Sequence, residues 1–134
     1  MPVPPLLLET PHLTITDNAP AGWLYADWRG PQNMATVQGG CGELLRLLQG
    51  RGYGKVLNDN TRVTTMWSEA AEWAGRDWFP AMEAGGLRHF AWIYPADVFA
   101  SLSIDLTLQF ASGGVVIATF GNRAQAEEWL QAQP

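Results

Sequence analysis

The stretch ADVFASLSIDLTLQF, Ala96 to Phe110, decides the fold. Leu102, Ile104, Leu106, Leu108 and Phe110 alternate strictly, which is the period of a strand. Val98, Phe99, Leu102, Leu106 and Phe110 also share one helical face. As a strand, with ASGG at 111–114 as a turn, the stretch would form a hairpin into the run at 115–120. As a helix, it would carry the chain between two parallel strands. Periodicity leaves both readings open.

The flanks are clearer. HFAWIYP, 89–95, and VVIATFG, 115–121, are aromatic and β-branched runs that read as strands. Upstream, Trp67, Ala70, Ala71, Ala74, Trp78 and Met82 form the inner face of a helix. Thr64 or Thr65 is its candidate N-cap, and Pro80 should kink or end it. The chain before it, KVLNDNTRVTT at 55–65, reads as a short strand, Lys55–Leu57, followed by a polar loop. A longer helix precedes that strand, with Met34, Val37, Cys41, Leu44, Leu45 and Leu48 on one face. HLTITD (12–17) and WLYADW (23–28) read as a hairpin around a Pro- and Gly-containing turn. The last helix opens at Asn122 with Gln125 three residues on, a capping-box pattern.

The order is β-β-α-β-α-β-(α or β)-β-α, which predicts an α/β fold with a mainly parallel sheet and helical cover. Residues 1–11, rich in proline, read as an irregular N-terminal arm, and 12–134 as a single domain. At 134 residues the chain has room for one core and not for two.

Four segments carry a family resemblance: WLYADWRG (23–30), KVLNDN (55–60), DWFPAMEAGGLRHFAWIYP (77–95) and VFASLSID (98–105). With them the chain resembles the STAS-like group, small bacterial proteins similar to anti-sigma-factor antagonists and to STAS/SEC14 domains. The resemblance implies a SpoIIAA-like, STAS-type fold: a five-stranded mixed sheet with an N-terminal β-hairpin. It also implies a helix for 96–110. Antagonists of this type keep a phosphorylated serine or threonine in a loop after the central strand, often after an aspartate. The matching positions here are Asp59 and Thr61, with Arg62 standing where the family pattern has glycine. A SEC14-like role would instead imply a cavity for a lipid or other apolar ligand.

Composition narrows the function classes. The net charge of −5 disfavours nucleic acid and anionic membranes, and the only lysine is Lys55. No apolar run approaches the length of a membrane span. The start, MPVPPLLLETP, lacks a basic n-region, so the cytoplasm is the expected location. A single cysteine, Cys41, excludes an internal disulfide or a thiolate metal site. The two histidines, His12 and His89, have no companions at ligand spacing, so neither metal nor cofactor is expected. Glu69, Glu72 and Arg76 suit surface ion pairing better than acid–base work.

Two candidate regions remain. Asp59, Thr61, Arg62, Thr64 and Thr65 form a candidate switch or recognition loop; the same residues also suit Asx turns and an N-cap. Trp73, Asp77 and Phe79 form a candidate interface, unless the two rings pack within their own chain. The expectation is a non-catalytic interaction or regulatory module whose partner is a protein, including a second copy of itself. The alternative is a small carrier of an apolar ligand.

Overall fold

The computed structural model describes residues 3–134. It is an α/β protein built on one six-stranded mixed sheet in the order β1-β2-β3-β4-β5-β6. The strands are β1 (Leu6–Glu9), β2 (Leu13–Asn18), β3 (Trp23–Gly30), β4 (Lys55–Val63), β5 (His89–Ile93) and β6 (Val116–Phe120). β1, β2 and β3 pair antiparallel, and β3 through β6 pair parallel.

The sixth strand corrects the irregular arm. Leu6–Glu9 pairs with β2, and Leu7 and Leu8 pack against the core. An arm with two adjacent leucines gains more by extending the sheet than by staying loose. Its prolines flank the strand rather than interrupt it, as an edge strand permits. The first two residues of the arm lie outside the described residues.

Helix α1 (Met34–Arg51) starts on an Asn33 capping box, in which the Asn33 side chain accepts from Thr36 N. It ends at Gly52, whose φ of 66° is the left-handed conformation that closes a helix. A single helical rod then runs from Ser68 to Ala84 as α2 (Ser68–Trp73), a π-helical segment (Ala74–Trp78) and α3 (Phe79–Ala84). Pro80 explains the segment. Proline lacks an N–H and crowds the carbonyl four residues back. The widened turn absorbs both, with Phe79 N–H donating to Ala74 O. Neither Thr64 nor Thr65 caps this rod; Trp67 holds the N-cap position without a side-chain bond.

The ambiguous stretch is helix α4 (Val98–Phe110), capped by Asp97, which accepts from Ala100 N at 3.0 Å. Gly75 lets α4 approach the π-helical segment closely: a Cβ there would lie 2.7 Å from Thr107 O. Helix α5 (Arg123–Ala132) closes the chain, with Asn122 accepting from Gln125 N at 2.9 Å.

The sheet separates two cores. On one face, α1, the Ser68–Ala84 rod and α4 bury Leu24, Val56, Phe79, Phe90 and Ile104. On the other, α5 alone covers Trp23, Leu57, Ala91 and Ile93 with Ala126 and Leu130.

Candidate functional site

The C-terminal ends of β3, β4 and β5 meet where open α/β sheets hold their sites. β4 supplies the centre, and it corrects the expected loop. The strand does not stop at Leu57 but runs through to Val63, so Asn58, Asp59 and Asn60 are strand residues and are buried. A strand sends successive side chains to opposite faces. Asn58 and Asn60 therefore face the α1/α2 side, and Asp59 faces the α5 side.

On the α5 side, Asp59 is the register partner of Asp27 on β3. Tyr25 OH donates to Asp59 Oδ2 at 2.6 Å. The Thr61 hydroxyl and the Thr61 N–H both donate to Asp59 Oδ1, the latter at 2.9 Å. Arg62 pairs with Asp27, while Arg29 stands 3.8 Å from the same carboxylate. The Arg123 guanidinium lies 3.9 Å from the centre of the Tyr25 ring, and its Nε donates to Glu127. Burial pushes the Asp27 carboxyl above its ordinary range; Arg62 pulls it back and the charge of Asp59 adds to the rise. Burial and the bond to Asp59 likewise hold the Tyr25 phenol far above its ordinary range.

On the α1/α2 side, Trp28 Nε1 donates to Asn58 Oδ1 at 2.9 Å, and Asn58 Nδ2 donates to Asn60 Oδ1 at 3.3 Å. These amides floor a cavity of about 30 Å³ walled by Trp28, Trp67, Trp78 and Trp92. Trp67 and Trp92 stack at 6.1 Å and 22°. Trp78 Nε1 donates to Cys41 O, whereas Trp92 Nε1 is buried without a partner among the described residues. The Cys41 thiol, wholly enclosed, is pushed well above its ordinary pKa by burial.

Of the five candidate loop residues, Asp59, Thr61 and Arg62 come together with Tyr25 and Asp27. Thr65 lies apart, bridging Gln32 by accepting from its N–H at 2.9 Å and donating to its carbonyl at 3.3 Å. Thr64 is exposed. Thr61 sits in β4 and not at a helix N-terminus. The interface trio separates. Phe79 is fully buried and stacks edge-on against Trp78 and Phe90, so it is a core residue. Trp73 is half-buried against the same core, and only Asp77 is exposed.

Sequence reasoning misses Tyr25, Asp27, Asn58 and the tryptophan box. One signal points to them: ADW at 26–28 and NDN at 58–60, taken as paired strands, put two aspartates on one face. Among the described residues, no group of three metal-ligating side chains gathers, and no helix is long and apolar enough to cross a membrane. No protein-family model matches this chain, and no curated protein matches it.

Proposed function

We propose that this protein is an interaction module of the STAS-like kind that pairs with a second copy of itself through β6 and α4. The carrying observation is an uncharged, unguarded edge. β6 ends the sheet with the sequence Val116-Ile117-Ala118-Thr119-Phe120, free of proline and charge. Native sheets normally blunt such an edge; the opposite edge, β1, is short, bulged and preceded by Pro4 and Pro5.

Val116 N–H donates to Arg88 O and Phe120 O accepts from Tyr94 N–H, so these residues bond inward. By the alternation of a parallel ladder, Ile117 and Thr119 then direct their N–H and C=O outward. Two copies related by a two-fold axis at Ala118 would pair Ile117 with Thr119 of the other copy in both directions. α4, the crossover between β5 and β6, adds the exposed side chains Val98, Phe99 and Leu102. In a protein of net charge −5, an edge strand free of charge is where two copies meet with least repulsion.

What supports the STAS-like likeness is the consecutive strand order, with helical crossovers between parallel neighbours β3 to β6. The carrier reading has less support. The two described cavities hold about 30 and about 180 Å³, below the ~300 Å³ at which ligand pockets begin.

Sedimentation equilibrium over a wide concentration range tests the pairing. A dimer is expected, with Thr119→Pro and Phe99→Glu each shifting the mass toward the monomer. A wild-type protein that stays monomeric at high concentration would overturn it.

A further inference from the structure

A groove opens between α1 and the β1–β2 hairpin, at the opposite end of the sheet from the pairing edge β6. Leu8 and Leu13 line it from the strands and Gly39 and Gly40 from the helix, with His12 and Glu43 in its polar lining. Glycine inside a helix costs stability relative to alanine, so two in succession need a reason. Gly40 has one in the packing: a Cβ there would lie 2.8 Å from both Leu13 Cδ2 and Trp28 Cζ3. Gly39 has none, because a Cβ there would meet nothing within 4 Å. What its missing side chain does is leave the groove open. Gly42 on the same helix also meets nothing but does not line the groove, so it serves as a control.

Size and charge narrow the occupant. The space of about 180 Å³ is too small for a lipid. It is comparable to the ~150 Å³ cavity that takes a benzene ring. The Thr10 and Thr36 hydroxyls in the lining are already spent, donating to Leu13 O at 3.1 Å and to Gln32 Oε1 at 2.9 Å. Glu43 is the one carboxylate in the lining, and among the described residues no lysine or arginine lines it. Arg46 donates twice to Glu43 Oε2, from Nε at 3.0 Å and Nη2 at 2.6 Å; Oε1 receives neither bond. In a chain of net charge −5, this end of the groove favours a cation.

We propose that the groove between α1 and the β1–β2 hairpin binds a small organic cation. Its apolar body, the size of a single ring, lies along Gly39 and Gly40, and its ammonium group meets Glu43 Oε1. The site is independent of the pairing through β6.

The test titrates the full chain, labelled with nitrogen-15, with benzylammonium chloride and, in parallel, with benzyl alcohol. Saturating shifts of the Gly39, Gly40 and Leu13 amides are expected with benzylammonium, half-complete at about 1 mM for so small a ligand. Benzyl alcohol has the same body without the charge and should bind about threefold or more weakly. Glu43→Gln should abolish that difference. Gly39→Leu fills the groove: it should raise the melting midpoint by roughly 1–4 °C and weaken benzylammonium binding by about tenfold or more. Gly42→Leu should raise the midpoint likewise and leave binding unchanged. Linear shifts with benzylammonium, equal binding of benzyl alcohol, or a Gly39→Leu variant that binds as the wild type does would each overturn the proposal. The first two are read on the wild-type protein alone.

Discussion

Asp27 and Asp59 are register partners on adjacent parallel strands, buried on the same face of the sheet with two different sets of donors. Asp59 receives Tyr25 and Thr61, both neutral, whereas Asp27 receives the arginines. The pair is therefore asymmetric, and its members should respond differently to substitution.

Asp27 contributes a pH dependence of its own. Its folded-state pKa lies above the unfolded value, so its contribution is fully present below about pH 4 and is lost as the pH rises through the folded value. Asp27→Asn should raise the melting midpoint at pH 7 by roughly 2–4 °C. The gain should vanish as the pH approaches 4. Thermal melts at several pH values check both statements; a loss of stability at pH 7 would show that the Arg62 pairing outweighs the burial cost.

Thr61 and Thr64 are both exposed, and only the Thr61 hydroxyl donates to Asp59. Thr61→Glu would set a carboxylate against Asp59 in place of a donating hydroxyl, and should cost about 1–3 kcal/mol. Thr64→Glu, on an exposed position, should change stability by no more than about 0.5 kcal/mol. Urea titration of the two variants measures the contrast. A phosphate on Thr61 would meet the same carboxylate, so a mild effect of Thr61→Glu would reopen the switch reading.

Glycines in the helices should split by what surrounds them. Gly75→Ala drives a Cβ into the α4 backbone at Thr107 O, Phe110 C and Ala111 N, and should cost about 1–3 kcal/mol. Gly39→Ala in α1 meets nothing within 4 Å and should stabilise by about 0.5–1 kcal/mol. Denaturant midpoints of the two variants should move in opposite directions.

The tyrosines give an optical readout. Tyr25, Tyr53 and Tyr94 each hold a carboxylate bond and a phenol pKa raised above its ordinary value. The phenolate absorbance of the folded protein should rise at higher pH than that of the chain in denaturant. The linked stability is complete below about pH 10 and falls above it. Tyr25→Phe should remove the latest part of the curve.

Much of the architecture is legible in the sequence, because helix faces and turn residues mark themselves locally. Asn122 and Gly52 do so, as does the alternation in β2. What stays hidden depends on partners far along the chain. Asn58-Asp59-Asn60 reads as a loop because three polar residues look costly to bury; Trp28 and Tyr25, 30 or more residues away, remove that cost. Phe79 beside Pro80 looks like a break with an exposed ring, and the π-helical turn that buries it leaves no mark in a 3.6-residue pattern. Ala96–Phe110 satisfies two periods at once, and only its place between parallel strands separates them.

Every strand of the sheet lies beside its predecessor in the chain. Under tension this makes the molecule anisotropic. Force applied at the N-terminal side would peel β1 and then β2 away one hydrogen bond at a time, as a zipper opens. At β3 the neighbours run parallel and are tethered by helices, so the same force must slide whole ladders at once. α5 further pins β4, β5 and β6 from the far face. The protein therefore has a soft side and a stiff side, and the stiff side holds both the tryptophan cavity and the aspartate pair.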